Sequence, residues 1–295
     1  MISLKDRKKI ILGTASFDRN YGINKSVFFK KDEKNLILKK CIQNKILYVD
    51  CSENYNSAMN YFYQNKDILK NFKVIYKINI TNYSLASEKK LYLKIDIALK
   101  KLNIKNFYCV MLHKGETLKK KIGPKIHNFL LNLKRIKKTN KIGISTYDHN
   151  VTKSIISKFK FDILQFPYNL FDQRINSKSF LNILNKNKVE IHLRSIFLQG
   201  LFTLDEKKIP KYFDKWKKNI KEIKIISKKY NISIINLCIS HALNLNYKDK
   251  KIIIGVKNLN QLNEIIKFKK CKIKNLQKLR VTQKKLILPY LWKIT

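Results

Sequence analysis

The chain has 295 residues, 44% of them hydrophobic, with only 7 Gly and 4 Pro, a balance that suits a globular core and excludes collagen-like and Pro/Gly-rich disordered chains. Lys+Arg number 64 against 20 Asp+Glu, a net charge of +44, which points first to a nucleic acid or an anionic membrane surface. Against a dedicated nucleic-acid surface, Lys outnumbers Arg about tenfold and the lysines are scattered along the chain, as AT-rich coding produces at tolerant positions, whereas phosphate and guanine readers favour Arg.

The first strand-like run is KIILGTA (9–15), followed by an amphipathic stretch over 33–45 in which Leu36, Ile37, Lys40, Cys41 and Asn44 share one face. ILYVDCS (46–52) leads to a helical stretch over 57–70, KVIYKIN (73–79) to 84–102, and FYCVMLH (107–113) to 125–137. KIGISTY (141–147) leads to 152–159, ILQFPYN (163–169) to 177–187, and EIHLRSI (190–196) to 216–230 and 233–244. KIIIGV (251–256) and 259–267 close the series. The apolar runs are nearly continuous, as parallel strands covered on both faces should be.

Eight such alternations predict an α/β fold of the (β/α)8 TIM-barrel class, a single domain over 1–295. The competing doubly wound Rossmann sheet wants a Gly-rich phosphate turn after its first strand, and LGTASFDRNYG does not supply GxGxxG. No run reaches the roughly 18 uncharged apolar residues of a membrane helix, and the N-terminus shows no signal-peptide cleavage pattern. The five cysteines are far apart, without CxxC or zinc-ligand spacing. A cytoplasmic protein with free thiols, no bound metal, no membrane partner and no specific nucleic-acid partner is expected.

A barrel of this kind builds its active site from the C-terminal ends of its strands. Asp50, Lys77 and His113 end the second, third and fourth runs. A lysine closing a buried strand is costly unless an anion meets it, and Asp50 on the neighbouring strand is placed to be that anion. Tyr55 follows by five residues, in a loop able to carry its phenol over the mouth. An ammonium beside a phenol eases its ionisation, which suits a general acid for a developing alkoxide. His113 can donate a hydrogen bond to the same oxygen. Such a set polarises a carbonyl and needs an external hydride.

With these residues in view, the sequence resembles the aldo-keto reductases over essentially its whole length, from LGTASF to GVKNLNQLNEI. YVDCSENY is similar to the family's Asp-then-Tyr strand end, VIYK to its lysine strand and MLHK to its histidine strand. The resemblance implies NAD(P)H-dependent reduction of an aldehyde or ketone, sugar-derived ones among the candidates, with Tyr55 as proton donor, Asp50 and Lys77 tuning it and His113 orienting the carbonyl. It implies that Ser145 and Gln165 hold the nicotinamide carboxamide, and that Arg194 stands where many members stack a tyrosine on the nicotinamide. It places Ser195, Leu198 and Gln199 along the pyrophosphate and assigns Gly255, Lys257, Gln261 and Glu264 to the adenosine end. NADPH is preferred over NADH as the expected cofactor, although Gln261 sits where NADP-preferring members often carry an arginine. Phe17, Asp18 and Tyr21, in the first strand-to-helix loop, are expected to border the substrate. Trp216 and Trp292 are candidates for lining the pocket, with Trp292 equally a candidate for anchoring the tail.

The sequence departs from the family at Asn56, where a glycine is usual, and lacks the glutamate that commonly follows (Ser57, Ala58). The first strand begins near Lys9, without the N-terminal hairpin of many members. The competing readings are a cofactor-binding barrel acting as a non-catalytic regulatory or scaffold subunit, a sugar epimerase or eliminase that uses the nicotinamide transiently, and, last, a basic nucleic-acid-binding protein.

Overall fold

The computed structural model describes residues 3–18, 21–23, 29, 32–81 and 83–294, with the Leu85 side chain left aside. Eight strands close a barrel in which each pairs in parallel with its sequence neighbours and β1 returns to β8. They are β1 (Ile10–Gly13), β2 (Tyr48–Ser52), β3 (Lys73–Ile78), β4 (Phe107–Leu112), β5 (Thr139–Ser145), β6 (Ile163–Pro167), β7 (Glu190–Arg194) and β8 (Lys250–Ile254). The expected (β/α)8 class is thus the observed one. The strands mostly stop one or two residues before the apolar runs do, because Tyr147, Asn169 and Ile196 leave the ladder to build the loops above it.

The long helices are α1 (Glu33–Gln43), α2 (Asn56–Gln64), α3 (Leu85–Leu102), α4 (Gly123–Arg135), α5 (His149–Lys158), α6 (Lys178–Lys186), α7 (Lys217–Lys229), α8 (Ile234–Leu243) and α9 (Leu259–Lys267). Local chemistry sets their starts: Ser84 caps α3 reciprocally with Ser87, and Asp148 accepts from Asn150 N and Val151 N at the head of α5. On α1 the buried face is Ile37, Leu38 and Cys41, while Leu36 is exposed, so the expected face is rotated by about one residue. Several helices end on a left-handed residue that is not glycine: Lys45, Asn103, Lys137, Lys188 and Asn231. With seven glycines in the chain, lysine and asparagine occupy this position at a cost of roughly 1 kcal/mol for a lysine.

Two separate apolar bodies hold the fold. The larger fills the ring between strands and helices, and a smaller plug of Ile11, Ile75, Cys109, Met111, Ile163 and Ile253 fills the barrel itself. Gly143 belongs to that plug by necessity: a Cβ there would lie 2.8 Å from Met111 Cε and 2.9 Å from the Ile163 carbonyl. Above the plug, the register sets Gly13 beside Asp50, Ser52 beside Lys77 and Ser145 beside Gln165. Polar strand ends therefore meet at one rim.

Candidate active site

Asp50 in β2, Lys77 in β3 and Gln165 in β6 are buried against one another. Lys77 Nζ lies 2.6 Å from Asp50 Oδ2, donates to Tyr55 OH at 3.0 Å, and approaches Gln165 Oε1 at 3.4 Å. Gln165 Nε2 donates to the other Asp50 oxygen at 2.9 Å. Both carboxylate oxygens thus have partners, as a charge only 3% exposed requires. Backbone bonds hold Tyr55 in place: its N–H donates to the Ser52 carbonyl at 2.9 Å, and Met59 N donates to its carbonyl at 2.8 Å. The loop does this without the glycine and glutamate that are missing at 56–58. Glu53 fastens it instead, by accepting from Asn79 N at 2.8 Å and pairing with Lys94.

Protonation follows from these contacts. Burial alone would pull the Lys77 ammonium down, but Asp50 and Tyr55 outweigh it and hold the group above its ordinary range. For Tyr55 burial is the largest influence and raises the phenol, while Lys77 opposes it without winning. The sequence-based expectation of an easily ionised phenol is corrected here: Tyr55 is held as the neutral acid, with an ammonium ready for the phenolate. His113 is pushed down to about 3, by burial first and by Lys77 second, so its imidazole is neutral. Its Nδ1 faces Ser52 Oγ at 3.1 Å, and that hydroxyl accepts from Asn54 N at 3.3 Å. Where the hydroxyl donates to Nδ1, the proton of the neutral imidazole is left on Nε2. Ser52 was not foreseen; its only sequence signal was its place two residues after Asp50.

These groups sit at the inner end of a cavity of about 480 Å³ that runs from His113 and Tyr55 to Lys257, Gln261 and Glu264 at its outer end. Ser145, Arg194, Ser195, Gln199, Gly255 and Tyr21 also line it. Three expected residues do not. Leu198 is fully buried in the core, Phe17 packs against Phe29 with ring centroids 5.2 Å apart, and Asp18 lies outside the lining. Trp216 and Trp292 also stand away from the cavity: Trp216 bonds Gln283, and Trp292 donates to the Leu286 carbonyl at 2.9 Å. Both anchor the C-terminal tail.

Tyr147 is a lining residue that sequence reasoning missed. Its ring lies 3.9 Å beneath the Arg194 guanidinium, which donates to the Thr146 carbonyl at 3.0 Å and leaves Nε without a partner. Among the described residues no carboxylate lies within 4 Å of Arg194. Next to it, Ser195, Leu198 and Gln199 adopt left-handed φ of 60°, 46° and 53°, a concentration of backbone strain in the loop bordering the cavity. Gly22, at φ 84°, brings the first loop within reach of that segment, and Ile23 N donates to the Gln199 carbonyl at 3.2 Å. At the outer end Gln261 spends its side-chain oxygen on Lys257 N at 2.8 Å, and Asn258 caps α9.

With this geometry in place, comparison with known proteins decides the family. The model of the Aldo/keto reductase family matches residues 9–284. The chain belongs to the aldo-keto reductase family. It is accordingly an oxidoreductase of small carbonyl substrates. Among solved structures, the aldo-keto reductase AKR11C1 from Bacillus halodurans (holo form) is similar at TM-score 0.72 and 15% identity, over 93% of each chain. The glycerol dehydrogenase AKR11B4 from Gluconobacter oxydans is similar at TM-score 0.69 and 14% identity, over 95% of this chain and 92% of that one. The thermostable aldo-keto reductase Tm1743, in complex with the inhibitor epalrestat, is similar at TM-score 0.65 and 18% identity, over 92% and 93%. At these identities the likeness is one of fold. No curated protein matches the sequence. In this aldo-keto reductase no group of three or more His, Cys, Asp or Glu among the described residues could hold a metal ion, and no helix among them is long and apolar enough to cross a membrane.

Proposed function

We propose that this aldo-keto reductase reduces an aldehyde or ketone to the alcohol with NAD(P)H, using Tyr55 as general acid. The observation that carries this reading is Lys77 Nζ bridging Asp50 and Tyr55 at 2.6 and 3.0 Å at the inner end of the cavity. Because the ammonium donates to the phenol oxygen, the phenol proton is free for a carbonyl oxygen. His113, neutral and protonated on Nε2, is a second donor to that oxygen. As the proton leaves Tyr55, the phenolate gains the Lys77 charge at once, and Asp50 keeps that charge in place. When bound, the reduced nicotinamide supplies the hydride that no protein group can.

The residues suit such a cofactor. Arg194, with no carboxylate partner among the described residues, fits an anionic or planar group. Ser145 and Gln165 are the candidates for the carboxamide; Ser195 and Gln199 are the candidates for the pyrophosphate. Gly255, Gln261 and Glu264 are assigned to the adenosine end. We assign NADPH over NADH, with Lys257 as the group meeting the extra phosphate, since Gln261 is engaged with the backbone. Tyr21 borders the substrate. The five unpaired thiols support a reducing, cytoplasmic setting.

Fluorescence titration with NADPH and NADH at moderate salt, followed by a carbonyl screen, tests the reading. Saturable binding that resists added salt, with turnover abolished in Tyr55→Phe, is the expected result. Saturable binding without turnover on any carbonyl would move the protein to a scaffold role. Binding that vanishes with salt would remove the cofactor altogether.

A further inference from the structure

The opposite, N-terminal end of the barrel holds a second cavity, of about 420 Å³, whose ten lining residues are all charged. Seven are lysines: Lys8 and Lys9 before β1, Lys141 in β5, Lys188 before β7, and Lys248, Lys250 and Lys251 before and within β8. Three are acids: Asp162, Glu190 and Asp249. Compositional bias does not account for this, since the mouth cavity has two lysines and one arginine among 28 lining residues.

Two of the three acids are already engaged. Glu190 accepts from Lys141 at 2.6 Å, His192 at 2.9 Å and Tyr108 OH at 3.2 Å, and also pairs with Lys251. Both oxygens of Asp162 accept from Lys134 at 2.9 Å, outside the cavity, and one also accepts from Ile142 N. Lys8, Lys188 and Lys248 have no carboxylate within 4 Å among the described residues. Lys250 turns to the Tyr247 carbonyl at 2.6 Å. The lining carries an excess of four positive charges in a concave space, which focuses the field there. Lys250 registers it: burial first, then Lys9 and Lys270, pull its ammonium down to about 8. A bound anion would relieve that strain.

We propose that this end of the barrel binds a small multivalent phosphate, either a condensed inorganic phosphate or the phosphate tail of a nucleotide. Several compact ammonium groups around one cavity can meet several oxyanions at once, whereas a single carboxylate would answer only one of them. Nucleic acid is disfavoured because the lining has no aromatic side chain for base stacking and no arginine. The residues that build the site are unrelated to those of the mouth, so it stands or falls separately from the reductase chemistry.

The test is calorimetric titration of the full chain with tripolyphosphate at 150 mM-range salt, about physiological ionic strength. The informative variant is Lys8→Gln/Lys188→Gln/Lys248→Gln, three exposed side chains whose loss breaks no internal bond. Its control, Lys218→Gln/Lys221→Gln/Lys229→Gln on α7, removes the same charge from an exposed face. The expected result is one saturable site, weakened about tenfold or more in the first variant and less than about threefold in the control, from the loss of three phosphate contacts. ATP binding at least tenfold tighter than tripolyphosphate would assign the site to a nucleotide tail; equal or weaker binding would assign it to free condensed phosphate. Equal losses in both variants, loss only in Arg194→Met, or affinity that grows with the length of an RNA oligonucleotide would each overturn the proposal.

Discussion

The Lys77–Asp50 centre at the mouth and the far end of this barrel handle lysine charge in opposite ways. At the mouth one buried lysine is matched to one buried carboxylate, and Gln165 ties the pair together. At the far end seven lysines face three carboxylates, two of which already serve partners. The plug of Ile11, Ile75, Cys109, Met111, Ile163 and Ile253 separates the two. A charge held in a matched pair can be made to do proton chemistry, because removing it disturbs one reacting group. Unmatched charge instead favours association with an anion.

The sharpest break of this comparison is at the mouth. Tyr55→Phe should lower kcat/KM for carbonyl reduction by about 10²–10⁴-fold, the span of general acid catalysis, with NADPH affinity within about twofold; steady-state kinetics with fluorescence titration checks both. Lys77→Met should destabilise the fold by about 3–5 kcal/mol, since it strands a buried carboxylate. It should also move the pH profile of alcohol oxidation upward, because the ammonium that opposes the effect of burial on Tyr55 is lost. Adding Asp50→Asn should recover much of the stability and none of the activity, as measured by denaturant melts and turnover.

At the far end Glu190→Gln should cost about 1–3 kcal/mol by weakening bonds to His192, Lys141 and Lys251, while turnover stays within about twofold. Acid melts should separate the ends further. His113 and His241 are held down to about 3 and about 4, by burial foremost, from an ordinary value of 6.5. The unfolded chain therefore takes up these protons first, and stability present above pH 6.5 should be lost as pH falls toward 4. Glu190 is held far below the ordinary carboxylate value of 4.5 by His192, Lys251 and Lys141 against the opposing effect of burial. Its contribution should persist to about that pH and be lost only below it. Circular dichroism melts from pH 7 to 3 should show the later loss removed in Glu190→Gln and the earlier one retained. The smallest effect lies outside both cavities: Lys137→Gly, at φ 58° after α4, should stabilise the fold by about 0.5–1 kcal/mol, read as a shift in the denaturation midpoint.

Much of the site was legible because its chemistry falls at strand ends. A buried strand that closes on lysine, as VIYK does, demands an anion nearby, and Asp50 was the polar end of the adjacent strand. The protonation of Tyr55 was not legible, since two opposed influences decide it and sequence shows only that both exist. Phe17 and Leu198 were placed by loop membership, yet their side chains turn into the core, where rings or aliphatic neighbours bury them. Tyr147 went unnoticed as one aromatic among many until the fold laid it beneath Arg194.

What the sequence by itself determined was the alternation of strand and helix, and with it the barrel, because period and composition are local properties that survive without knowledge of contacts. It also determined the order of Asp50, Tyr55, Lys77 and His113 along consecutive strand ends. Which lysines gather was decided only by the tertiary structure: Lys8, Lys188 and Lys248 lie far apart in the chain and meet because barrel closure brings β1, β7 and β8 side by side. Charge is additive in space, not in sequence, so a scatter that looked featureless along the chain became a concentrated field once the barrel closed.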